Sequence, residues 1–128
     1  MATATILVVE DEQQVRTLIV RLLEKRGYRV LEAQNGREAL EVIRESLADH
    51  SLVITDLVMP EMGGEALVRE VNKARSDLPC LCMTGYSQEE VASLDGMHSS
   101  NIIEKPFSPA TFLERVQSML SEGASSSS

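Results

Sequence analysis

Short apolar runs alternate along this chain with segments whose apolar residues recur every three or four positions. Thr5–Val9 (TILVV) is brief, apolar and rich in β-branched residues, which predicts a strand. Val15, Leu18, Ile19, Leu22 and Leu23 follow at the spacing of one helical face, and Gly27 supplies a stop. Tyr28–Ala33 reads as a second strand. Asn35 then caps a second helix, with Glu38 three residues on, and Ala39, Ile43 and Leu47 form its apolar face. Leu52–Thr55 is a third strand, and the loop Asp56–Gly63 holds Pro60 and Gly63, which break regular structure. A third helix is predicted over Gly64–Ala74, burying Leu67 and Val71. Pro79–Met83 reads as a fourth strand, Ser87–Leu94 as a weakly patterned fourth helix, and Asn101–Ile103 as a fifth strand. Ser108 and Pro109 are an N-cap and first-turn pair for a last helix carrying Phe112, Leu113, Val116 and Leu120. Gly123 is expected to end it.

Five strands and five helices in strict alternation imply right-handed βαβ units: an α/β fold with a parallel sheet and helices on both faces. With five strands, the flavodoxin-like doubly wound order 2-1-3-4-5 fits. At 128 residues the chain is one domain, expected over residues 1–122, with 123–128 a disordered tail or linker stub. Aromatic residues are 3% of the chain against 43% hydrophobic, so the core has to be aliphatic.

A net charge of −8 at pH 7 repels phosphate backbones, which argues against nucleic-acid binding by this chain. No apolar run reaches the roughly 20 residues that span a bilayer. Met1–Thr5 has no basic segment of the kind that opens a signal peptide, so a cytoplasmic location is expected. Cys80 and Cys82 would face the same side of a strand and read as buried, reduced thiols rather than zinc ligands. His50 and His98 read as surface residues, and Glu12 as charge complementing a helix N-terminus.

Ligands of open α/β sheets bind beyond the carboxyl ends of the strands. Glu10, Asp11 and Glu12 follow the first strand, Asp56 the third, Thr84 and Gly85 the fourth, and Glu104, Lys105 and Pro106 the fifth. In the order 2-1-3-4-5 these converge on one crevice. Three gathered carboxylates, Glu10, Asp11 and Asp56, repel one another, and a hard cation such as Mg²⁺ relieves that repulsion. Lys105 adds positive charge and Thr84 a hydroxyl, which suits an incoming phosphoryl group, with Asp56 as its oxygen nucleophile.

The segments ILVVEDE, VITDLVMPEMGG, CMTGYS and IIEKPFSP, in this order and each at the end of a predicted strand, resemble the receiver domains of two-component response regulators over about Thr5–Leu120. The resemblance implies that Asp56 is the phosphoacceptor. It implies that Asp11 binds Mg²⁺ directly, that Glu10 holds a metal-bound water, and that Val58 offers its backbone carbonyl to the metal. Thr84 and Lys105 would contact the phosphoryl group, and the Lys105–Pro106 bond would be cis. Ile102 stands where the family often has an aromatic residue that changes position on activation. In receivers the positions of Tyr86 and Val58 border the mouth of the site, where bulky Tyr86 and apolar Val58 would slow water attack. The implied partners are a sensor histidine kinase or phosphotransfer protein and a downstream protein target, and the chain is either a stand-alone receiver or part of a hybrid kinase. A Mg²⁺ phosphatase with an aspartate nucleophile is disfavoured, because the residue two after Asp56 is Val58 rather than a second acid. A degenerate receiver acting as a constitutive binding module is disfavoured because Asp11, Asp56 and Lys105 are all present. The chain is thus expected to act as a phosphoacceptor switch rather than an enzyme.

Overall fold

The structure is a computed structural model that describes residues 4–57, 62–85 and 102–126. The expectations for Val58, Pro60, Tyr86, the helix at Ser87–Leu94 and His98 lie outside the described residues. Strands β1 (Thr5–Val9), β2 (Arg29–Ala33), β3 (Leu52–Asp56), β4 (Cys80–Thr84) and β5 (Ile102–Glu104) form one sheet in the order β2-β1-β3-β4-β5. Every pairing is parallel. Four α-helices are described: α1 (Gln13–Lys25), α2 (Gly36–Glu45), α3 (Gly64–Ala74) and α4 (Pro109–Ser126).

Alternation along each strand divides the core into two layers. Leu7 and Val9 of β1, Val53 of β3 and Cys80 and Cys82 of β4 meet α2 and α3 through Ala39, Leu40, Ile43, Leu67, Val68 and Val71. Ile6, Val8, Ile54, Leu81 and Met83 point the other way, onto Ile19, Val20 and Leu23 of α1 and Phe112, Leu113, Val116 and Met119 of α4. Both sheet faces are covered, so β1 and β4 are buried along their whole length. The two cysteines are free and share a face, as expected.

Local chemistry sets the helix ends. Asn35 Oδ1 accepts a hydrogen bond from the Glu38 amide at 2.8 Å, capping α2. At the end of α1, Gly27 has φ +88°, its amide donates to Glu24 O, and the Tyr28 amide donates to Leu23 O. This is a Schellman closure, and its left-handed residue is a glycine.

Several sequence expectations change. Leu18 is 59% exposed, while Val20 is buried in its place. The apolar residues of α1 form a broad stripe, and packing on the flat sheet selects the edge carrying Ile19, Val20 and Leu23. Helix α2 ends at Glu45, so Leu47 belongs to a 3₁₀ turn (Leu47–Asp49) rather than to the face of α2. His50 is buried at 1% exposure, not on the surface. It precedes β3, and its carbonyl accepts from Arg75 Nη1 at 2.6 Å, which ties the turn before β3 to the end of α3. Helix α4 continues through Ser126, past the expected stop at Gly123 and into the expected tail. A glycine within a helix costs about 1 kcal/mol relative to alanine, which weakens a helix without ending it.

Candidate functional site

Strand ends place the polar residues. Strand β1 delivers Glu10 and Asp11, β3 ends on Asp56, β4 ends on Thr84, and Lys105 follows β5. Ladder pairing runs through two of these termini, Asp56 opposite Met83 and Thr84 opposite Glu104, so β3 and β4 extend one residue beyond their expected ends. Carboxylate oxygens of Glu10, Asp11 and Asp56 all lie within 4.8 Å of one another. Lys105 Nζ is 3.2 Å from Asp56 Oδ2, and the Lys105 amide donates to the Thr84 carbonyl oxygen at 2.6 Å. Four of the expected residues are thus brought together, and buried Thr84 closes the neighbouring strand. The Lys105–Pro106 bond is cis, as the resemblance implies.

The acids differ in surroundings. Asp11 is exposed and Asp56 partly buried, whereas Glu10 is 1% exposed. Burial pushes the Glu10 carboxyl up to about 8; hydrogen bonding to Asp56 and the charges of Asp56 and Asp11 add to this, and Lys105 opposes it. Glu10 Oε2 is buried without a hydrogen-bond partner among the described residues. A buried carboxylate oxygen facing two further carboxylates fits a hard divalent cation, which supplies the missing partner and neutralises the cluster.

Sequence reasoning missed Arg16. Its Nη1 donates to the Glu10 carbonyl oxygen at 2.8 Å, while its Nε pairs with Glu32 Oε1 of β2 at 3.1 Å. The Glu10 amide donates to Ala33 O at 3.1 Å, so the backbone of this acid is held on both sides. An arginine in the first turn after an acidic strand end was the available signal. On the far side of the site, Phe107 stacks on Phe112 of α4 with ring centroids 5.4 Å apart. Ile102 is buried against the α2–α3 layer.

A family model of the response regulator receiver domain matches residues 6–117. The chain belongs to this family. It is 40% identical to the sensor kinase CckA of Brucella abortus over 92% of its own length, although it spans only 13% of that protein. It is 34% identical to the response regulator receiver protein CpdR of the same organism, covering 90% of this chain and 95% of that one. The crystal structure of response regulator TrrA from Thermotoga maritima in complex with Mg²⁺ and beryllium fluoride superposes with a TM-score of 0.81 at 29% identity, covering 91% and 99% of the two chains. Receiver domains are signalling phosphoacceptors that work with histidine kinases or phosphotransfer proteins, and this receiver carries the acidic pocket compatible with Mg²⁺ and phosphorylation. No helix among the described residues is long and apolar enough to cross a membrane.

Proposed function

We propose that this receiver is a cytoplasmic switch in which Asp56 accepts a phosphoryl group from a phosphohistidine. The observation that carries this reading is the meeting of Asp56 with Glu10 and Asp11 on one side and Lys105 on the other. Glu10, Asp11 and Asp56 would hold Mg²⁺, with the Val58 carbonyl as a further donor. The bound ion supplies positive charge that offsets the build-up of negative charge on the phosphoryl oxygens. An Asp56 carboxylate oxygen attacks phosphorus, the P–N bond to the histidine breaks, and the imidazole leaves with the bonding pair. Lys105 releases Asp56 and pairs with a phosphoryl oxygen, and the Thr84 hydroxyl donates to another. By the resemblance, bulky Tyr86 and apolar Val58 would slow attack of water on the acyl phosphate.

The partners on this reading are a sensor histidine kinase or a phosphotransfer protein upstream and a protein target downstream. The phosphorylated state shifts a conformational equilibrium that the target reads. Ile102 fills the position of the family's mobile aromatic, so the response passes through aliphatic repacking. Incubation with acetyl phosphate and Mg²⁺, followed by intact mass measurement, tests the proposal. A single phosphate-sized adduct, absent in Asp56→Asn, is expected. An adduct undiminished in that variant, or none with any phosphoryl donor, would overturn it.

A further inference from the structure

Two glycines on different helices touch the segment that leaves Asp56. A Cβ built on Gly64, the first residue of α3, would lie 2.5 Å from the Asp56 carbonyl oxygen and 2.9 Å from Leu57 Cα. The Gly64 amide also donates to Leu57 O at 2.9 Å, and the Leu57 amide donates to Met83 O of β4 at 2.9 Å. The peptide after the nucleophile is therefore pinched between β4 and the first turn of α3. Gly36, the first residue of α2, makes the second contact. A Cβ there would meet the Met62 carbonyl oxygen at 2.7 Å, Met62 Cγ at 2.8 Å and Met62 Cβ at 2.9 Å. Real Cβ atoms do not approach so closely, and a backbone oxygen cannot rotate away as a side-chain tip can. Gly36 is fixed in turn by the Asn35 cap of α2. The only side chain that leaves room for Met62 at this point is hydrogen.

We infer that Gly36 is a positioning residue for Asp56: the notch it leaves at the start of α2 seats Met62, which sets where the chain turns into α3 and how α3 bears on the Asp56 carbonyl. The inference rests on reading Asp56 as a magnesium-binding phosphoacceptor. It separates from ordinary helix stability by its sign. Alanine is the better helix former, so α2 alone predicts that Gly36→Ala is neutral or stabilising. The seat predicts that the added methyl displaces Met62 and weakens the site.

The test is calorimetric titration of the full chain with Mg²⁺. Gly36→Ala should bind Mg²⁺ about tenfold more weakly than wild type, the scale on which supporting contacts act on metal sites. Ile43→Val, which trims the buried face of the same helix about two turns on from Gly36, should keep the wild-type affinity whatever it does to the melting temperature. Met62→Ala withdraws the side chain beyond Cβ from the notch without disturbing the Asn35 cap, and it should also weaken Mg²⁺ binding if Gly36→Ala proves too unstable to measure. Unchanged affinity in both Gly36→Ala and Met62→Ala, or equal losses in Ile43→Val, would overturn the positioning role while leaving wild-type binding and the phosphoacceptor reading intact. A wild-type chain that binds no Mg²⁺ would remove both.

Discussion

Lys105 Nζ lies 3.2 Å from Asp56 Oδ2, although Asp56 ends β3 and Lys105 follows β5, strands separated in the sheet by β4. On the proposed reading, the ammonium thus stands beside the carboxylate that would attack phosphorus before any phosphoryl group arrives. Removing it takes away charge that stabilises the transferring group, but also a cation competing for the same carboxylate. Lys105→Ala is expected to slow acetyl phosphate-dependent labelling by about 100-fold, the scale for losing one such electrostatic contact. Mg²⁺ affinity should be equal or higher. Intact mass against time and calorimetric titration measure the two effects, and a parallel loss of both would mean that Lys105 maintains the fold of the site instead.

The clustered acids predict a specific response to magnesium. An ion bound only by the folded chain raises stability by about 2.7 kcal/mol at one hundred times its dissociation constant. Melting followed by circular dichroism should therefore shift upward with MgCl₂ and return with a chelator. Sodium chloride at equal ionic strength should reproduce little of the shift, and a full reproduction would assign it to screening of the net negative charge.

Burial pushes the thiols of Cys80 and Cys82 up to about 12 from an ordinary 9.0. The folded chain then holds protons that the unfolded chain releases between these values. Each thiol's contribution to stability is complete below pH 9.0 and is lost as pH rises towards 12. At about pH 8 a thiol reagent should leave native protein unlabelled and titrate both cysteines only after denaturation. Rapid labelling of the native chain would contradict the burial.

Gly27 tests the closure of α1 in isolation. Among the described residues no heavy atom beyond its chain neighbours lies within 4 Å of a Cβ built there, so its φ of +88° is what resists substitution. Gly27→Ala should cost about 1 kcal/mol, and Gly27→Asn less, because a short polar side chain tolerates the left-handed region. Urea midpoints at constant m-value give the comparison, and an alanine variant as stable as wild type would show that the turn has another conformation available.

Periodicity made the architecture legible, because residues such as Leu7 and Ile6 have no choice of face once the strand is formed. The acids and Lys105 were legible as well, because strand ends in a parallel sheet can only converge. What escaped were decisions taken by tertiary packing. His50 carries no sequence mark of burial, since its surroundings, Ser46 Oγ at 3.5 Å from its ring and Arg75 on its carbonyl among them, are assembled by the fold. Leu18 and Val20 compete for one face of α1, and the sheet rather than the spacing chooses between them. Arg16 acts through a backbone oxygen and is signalled only by its place in the first turn after Glu10, while Gly36 meets a backbone oxygen that no residue pattern advertises.

Strand β3 is the middle strand of the sheet, laddered on one side to β1 and on the other to β4, whose pairing reaches Asp56 itself. Amides in such a position open only with the whole molecule, so those of β3 should be among the last to exchange with deuterated solvent. Asp56, the proposed nucleophile, is therefore mounted on a strand paired along both sides and has little motion of its own to contribute. Any signal read from its modification has to be expressed by segments that exchange early, and the ordering of exchange rates outward from β3 is a map of where to look for it.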